Sequence, residues 1–191
     1  MLMTLSCTVH YSVSTAIDLE NLQSSRNCLA EWSRIWQLKI SYMKCSHLYI
    51  NGITNSHNVS MLLDKLATVD SVKDLGITVD SELKFGKHIG NIVAREHARA
   101  NLIHKCFFSR DAQTLMRAFI VYVRPLLEYG SCVWSPHFKS DIDRIESVQC
   151  RFTKRSRFLN NMSYRRYSQR LMTLGLETLE VRRLHQDAFN V

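Results

Sequence analysis

From Ser81 to the C-terminus the chain carries helical periodicity with almost no interruption, and this limits the folds open to it. Between about Phe85 and Phe107, Ile89, Ile92, Val93, Ala100 and Ile103 recur at helix-compatible steps and share one stripe. A second, strongly apolar run from Asp111 to Tyr129 is broken or kinked at Pro125, whose ring removes a backbone donor and clashes with the preceding turn. A third begins near Ser140, with Asp143 at capping-box spacing and an apolar face of Ile142, Ile145, Val148 and Phe152. Two shorter helices follow. One starts after Ser163 and stops at Gly175, which suits the left-handed residue that closes a helix, and the other covers about Thr178 to Phe189. Single-stripe helices must bury their apolar faces on one another, so residues 81–191 are expected to form a helical bundle.

The first eighty residues read differently. From about Thr15 to Trp36 the pattern is helical, through Ile17, Leu22, Leu29, Trp32 and Trp36. The two tryptophans are i,i+4 neighbours on one face and are expected to pack on a core. "LKISYMKCSHLYI" (38–50) is rich in β-formers and ends at Asn51-Gly52, the strongest short hairpin signal. "KDLGITVD" (73–80) reads as a strand with Gly76 inside it, marking a bulge or the close approach of another backbone. The expected fold class is therefore α+β, mainly α: residues 1–80 form a long helix and a small sheet, and 81–191 a helical region.

Several function classes find no support. Two prolines and six glycines argue against disorder, and no apolar run approaches the length of a membrane span. The N-terminal stretch lacks the basic region of a signal peptide. Cysteines at 7, 28, 45, 106, 132 and 150 are scattered without a CxxC, as expected of reduced, mostly buried thiols in an intracellular protein, cytoplasmic or nuclear. No metal-ligand spacing joins them to the eight histidines. There is no glycine-rich phosphate loop, GxSxG elbow or HExxH. Asp141-Ile-Asp143 falls at a helix start, where acids complement the dipole.

Charge is unevenly placed. Residues 1–94 hold 8 Lys/Arg against 8 Asp/Glu, while 95–191 hold 17 against 9, so the whole net charge of +8 lies in the second half. Residues 147–176 contain no acid but carry Arg151, Lys154, Arg155, Arg157, Arg165, Arg166 and Arg170. Such a stretch is either a solvated basic face or one that attracts a polyanion. Interleaved Phe152, Phe158, Tyr164 and Tyr167 favour nucleic acid, because aromatic rings stack on bases, although some of them must serve the core.

Taken in order, "LAEWSRIWQLKISYMKC", "KDLGITVDSELKFGKHI", "YVRPLLEYGSCVWSP", "IDRIESVQCRFTKR" and "SYRRYSQRLMTLGLETLEVRR" resemble the C-terminal part of reverse transcriptases from non-LTR retrotransposons of the jockey type, over roughly residues 17–191. The resemblance implies the end of a polymerase palm (1–80) followed by a helical thumb (81–191), and RNA-directed DNA polymerisation as the family activity. It makes Lys44 a candidate general acid for the pyrophosphate leaving group, level with a plain surface or phosphate-binding lysine. Ser41 stands where the family usually has asparagine. It likens "KDLGI" to the primer-grip hairpin, carrying over Leu75 and Gly76. It makes Arg124 the most plausible nucleic-acid contact within an otherwise apolar thumb centre. Arg151, Lys154, Arg155, Arg157, Arg165 and Arg166 then become contacts to the phosphates of an RNA template/DNA primer duplex, with no sequence readout.

One part of the family pattern is missing. These enzymes hold two Mg²⁺ ions about 4 Å apart with carboxylates, partly from a Tyr/Phe-Ala-Asp-Asp turn. Its place is taken here by "TLSCTV" (4–9), and the first acidic residue is Asp18. The resemblance thus implies a truncated chain that binds no cofactor and no small-molecule substrate and is inactive as a polymerase alone. The alternative is a domesticated, non-catalytic nucleic-acid-binding module that uses the basic helical half. The two differ in whether a longer element protein completes the metal site.

Overall fold

The structure, a computed structural model, describes residues 16–38, 40–41, 45–50, 60–61, 64–107, 111–155 and 165–189. The chain is α+β and mainly α, and it divides into two units, Met1–Lys84 and Phe85–Val191.

The first unit opens with α1 (Ala16–Ile35). A Schellman arrangement closes this helix. Gln37 takes φ 54°, its N–H donates to Arg34 O at 3.2 Å, and Leu38 N–H donates to Ser33 O at 2.9 Å. The helix buries Ala30 and Ser33. Ala30 forms a small core with Leu66, on which Leu29, Ile40 and Cys45 pack. That core does not cover the tryptophans. Trp32 is 40% exposed and Trp36 65%, their rings 6.4 Å apart, so the expectation that both are core residues is corrected. Among the described residues of the helix, the face through Leu29, Ala30 and Ser33 is the one packed, and the chain leaves the helix axis at Gln37.

Among the described residues, six short strands make three separate two-stranded ladders rather than one sheet. β1 (Ser46–His47) pairs in parallel with β4 (Ala67–Thr68), and His47 Nε2 lies 3.1 Å from Thr68 Oγ1. β2 (Ser60–Met61) and β3 (Asp64–Lys65) are antiparallel. β5 (Ser71–Asp74) and β6 (Ile77–Asp80) form a hairpin in the register Asp74↔Ile77. The reading of 73–80 as a single strand is therefore corrected: Leu75 (φ 44°) and Gly76 (φ 91°) are the two turn residues. A two-residue hairpin of the type I′ form takes positive φ at both positions, which glycine adopts freely and leucine at some strain. The hairpin expected at Asn51-Gly52 lies outside the described residues.

The second unit is helical: α2 (Gly86–Cys106), α3 (Ala112–Tyr122), α4 (Arg124–Glu128), α5 (Ser131–Trp134), α6 (Lys139–Arg155), α7 (Tyr167–Leu174) and α8 (Leu179–Phe189). Asp111 caps α3 by accepting from Thr114 N at 2.8 Å, and this bond holds its carboxyl below the usual range. Pro125 sits in the first turn of α4, so the long apolar run splits at Val123 instead of kinking. Gly130, at φ 65°, turns the chain into α5. Helix α6 begins one residue before Ser140, so no Ser140–Asp143 capping box forms. Asp143 pairs instead with Lys139 at 3.2 Å and Asp141 with Arg144 at 3.1 Å. Gly175 closes α7 at φ 62°.

Helix α2 packs on α3, α4 and α6, and α8 packs on α5 and α6. The core between them holds Ile89, Leu115, Phe119, Val123, Leu127, Trp134, Ile145, Val148, Phe152 and Leu179. The Phe119 and Phe152 rings lie 4.7 Å apart, and Trp134 Nε1 donates to Tyr129 O at 2.8 Å. Cys28, Cys106 and Cys132 are exposed and Cys45 and Cys150 half-buried, all five free. This corrects the expectation of mostly buried thiols among the described residues.

Candidate nucleic-acid interface

The acid-free stretch divides by side-chain fate. Arg170 is not available to a ligand: it is 4% exposed, and its guanidinium donates to Arg165 O at 2.8 Å, Cys150 O at 3.3 Å and Thr153 Oγ1 at 3.4 Å. It also lies over the Tyr167 ring, 5.5 Å from the centroid. Three further side chains, Glu146, Gln149 and Tyr167, join α6 to the segment that follows. Gln149 Nε2 donates to Tyr167 Oη at 3.0 Å and to Glu177 O at 2.9 Å. The Tyr167 hydroxyl donates to Glu146 Oε1, and Glu146 Oε2 accepts from Leu179 N at 3.0 Å, at the start of α8. Burial, reinforced by Glu146, pushes the Tyr167 hydroxyl well above its usual pKa, so it stays a donor. This internal network holds the backbone from which Arg165 and Arg166 project, both exposed. Arg166 N in turn donates to Gln169 Oε1 at 3.2 Å.

Arg151, Lys154 and Arg155 are exposed on the last turns of α6. Arg151 and Arg155 are one turn apart and, with Val148 and Phe152, form the stripe that faces α2. There, His97, Ala100, Asn101 and His104 recur at i, i+3, i+4 and i+7. Between the two stripes is a cleft of about 360 Å³ lined by these eight residues. Arg155 Nη1 donates to Asn101 Oδ1 at 2.6 Å, which fixes the guanidinium across the cleft. His104 stacks on Phe152, ring centroids 4.4 Å apart. Burial first, and then the charge of Arg151, lowers the His97 pKa. Burial and then Arg155 do the same to His104. The one carboxylate beside these histidines in sequence, Glu96, is fully buried and held by Arg95 at 3.1 Å and Arg99 at 3.5 Å. No lining side chain of the cleft is acidic, among the described residues.

Among the described residues, the others singled out by sequence are not part of the lining of this cleft. Arg124 is half-buried on α4 in the field of Arg182, Glu128 and Glu177, and burial lowers its pKa. Its neighbour Glu128 is taken by Arg182 Nε at 2.6 Å. Leu75, 78% exposed, and Gly76 form the hairpin turn of the first unit. Lys44 and Arg157 lie outside the described residues, as does the 4–9 stretch. His97, Asn101 and His104 were missed by sequence reasoning. Their signal was a polar line (97, 101, 104) on an otherwise apolar-striped helix, which gains meaning only once Arg151 and Arg155 lie opposite.

No group of three or more His, Cys, Asp or Glu side chains among the described residues could hold a metal ion. No described helix is long and apolar enough to cross a membrane.

No family model and no solved structure matches the chain. Among proteins, it is 28% identical over 124 residues to an uncharacterised protein of Caenorhabditis elegans, covering 65% of this chain and 63% of that one. It is 29% identical over 136 residues to a probable RNA-directed DNA polymerase from transposon BS of Drosophila melanogaster, covering 68% of this chain. It is 25% identical over 138 residues to the RNA-directed DNA polymerase from the mobile element jockey of the same organism, covering 70% of this chain. The chain spans 15% of the length of each of these polymerases. Its sequence is thus related to RNA-directed DNA polymerases of jockey-like mobile elements.

Proposed function

We propose that this chain is a truncated, reverse transcriptase-like protein from a non-LTR retrotransposon, made of the end of a palm and a thumb. Its helical unit grips an RNA–DNA duplex by its phosphates. The observation that carries this reading is the acid-free α2–α6 cleft, with Arg151 and Arg155 on one wall and His97, Asn101 and His104 on the other. Arginine forks match phosphate oxygens and read no base, which suits a surface that must travel along any template. Lys154, Arg165 and Arg166 extend the cationic surface beyond the cleft, and Arg157 adds a further cation in the sequence. The names of the two fly proteins support the substrate class. The hairpin tip of Leu75 and Gly76 is the primer-grip element in this reading, since a glycine there lets another backbone come close. Arg124 is a secondary contact and Lys44 a phosphate-side lysine.

The chain is inactive as a polymerase by itself, because it contains no Tyr/Phe-Ala-Asp-Asp turn to hold the ions that carry phosphoryl transfer. The purified chain, given a primed RNA template, deoxynucleotides and Mg²⁺, is expected to bind the duplex without extending it. Extension that a chelator abolishes overturns the inactivity. Absence of binding overturns the thumb reading itself.

A further inference from the structure

Two of the groups lining the α2–α6 cleft, His97 and His104, are imidazoles, the side chains whose charge ordinarily changes near neutral pH. We propose that the cleft holds a backbone phosphate of the nucleic acid and that His97 and His104 take up protons as the phosphate enters, which makes binding tighter at lower pH. The proposal rests on the reading of this face as a nucleic-acid interface and adds a regulation to it.

The proton inventory of the free cleft follows from its contacts. The Ser147 hydroxyl donates to Arg144 O at 2.6 Å, so its oxygen can only accept from His97 Nε2, 3.2 Å away. His97 therefore carries its proton on Nε2, and Nδ1 is its basic nitrogen. His104 is pinned face-on to Phe152, and its Nε2 is closed to solvent without a hydrogen-bond partner. Burial and the facing arginines lower both ring pKa values, offset in part at His104 by a backbone hydrogen bond with Phe152, so both rings favour the neutral form in the free protein. Arg151 bears on His97 and Arg155 on His104, both from α6. On the histidines' own helix, Glu96 is committed to Arg95 and Arg99. No charged group of α3 or α4, the other helices packed on α2, lines the cleft.

A phosphodiester entering this space engages the two guanidiniums and brings one negative charge to the imidazoles. The repulsion from Arg151 and Arg155 is neutralised and replaced by attraction, so both ring pKa values rise and protons are taken from solvent. The phosphodiester does not titrate in this range, so the whole pH dependence comes from the protein. Linkage sets the sign: a site that binds protons together with its ligand gains affinity as pH falls, up to about tenfold per pH unit for each proton taken up.

The test is fluorescence anisotropy with a labelled RNA–DNA hybrid, at constant ionic strength, at about pH 8 and about pH 6. The intact chain is expected to bind about tenfold or more tighter at the lower pH. The His97→Gln/His104→Gln variant flattens that slope, each single variant removes part of it, and Arg151→Ala weakens binding at both pH values. Calorimetric titration of the unaltered chain in two buffers of different ionisation enthalpy reads the proton uptake directly and requires no variant to fold. Binding without pH dependence, or an undiminished slope in the double variant, overturns the proposal. Absence of binding at every pH overturns the nucleic-acid reading as well, so the two failures are distinguishable.

Discussion

Replacing Tyr167 with phenylalanine tests the network that anchors the basic segment to the core. The hydroxyl makes two bonds, donating to the Glu146 carboxylate and accepting from Gln149 Nε2 at 3.0 Å. The first involves a charged acceptor, a class worth about 1.5–3 kcal/mol. The second is neutral, and its donor keeps the Glu177 carbonyl at 2.9 Å, so its loss adds only a few tenths. The phenyl ring keeps its packing. The net expectation is a loss of about 2–3 kcal/mol from the helical unit, a fall in midpoint temperature of roughly 8–15 °C for a domain of this size. Denaturant and thermal unfolding followed by far-ultraviolet circular dichroism read it. Tyr122→Phe, at a residue 59% exposed, is the control and should stay within about 0.5 kcal/mol. Burial and Glu146 keep the hydroxyl protonated, so the loss is the same at about pH 6 and about pH 9. If Tyr167→Phe is no more destabilising than Tyr122→Phe, the network does not hold α7 and the reasoning fails.

Arg170→Met removes the buried guanidinium and its 2.8 Å bond to the Arg165 carbonyl, while the Cys150 carbonyl keeps the Thr153 hydroxyl at 3.1 Å, so it should destabilise by about 1–3 kcal/mol. Arg165→Ala, at an exposed side chain, should change stability by less than about 0.5 kcal/mol and affect only nucleic-acid binding. Chemical denaturation of the two variants side by side checks the contrast. Leu75→Asn relieves a leucine held at φ 44° and should stabilise the β5–β6 hairpin by about 0.5–1 kcal/mol, read as slower amide exchange in Ser71–Asp80. Unchanged or faster exchange there contradicts the strained-turn account.

What the sequence revealed depended on how local the cause was. Helix α2 could be read because Ile89, Ile92, Ala100 and Ile103 are all buried along one stripe. Pro125 and Gly175 act within their own turns, and both mark real boundaries. The β5–β6 turn was hidden because leucine stands where asparagine usually signals two positive φ values, so only Gly76 gave a cue, and it was misplaced within a strand. Trp32 and Trp36 misled because size and spacing suggest burial, whereas burial depends on what folds over a helix face, and the small core of Ala30 and Leu66 leaves both rings exposed. The candidate site was half legible. Charge placed Arg151 and Arg155 in a polyanion-facing stretch. It could not reveal that Arg170 is a core residue, nor that His97, Asn101 and His104 complete the site from about fifty positions upstream. Those facts arise only when α2 and α6 pack.

The most direct test of the central claim is the salt dependence of RNA–DNA hybrid binding by the intact chain and by Arg151→Ala and Arg155→Ala. Each phosphate neutralised contributes about −0.9 to the slope of log affinity against log salt concentration. The account predicts a steep negative slope for the intact chain, reduced in magnitude by about 0.9 in each variant, with affinity falling alike on all duplex sequences. A shallow slope, or one that neither substitution alters, contradicts the assignment of the α2–α6 cleft as a phosphate grip.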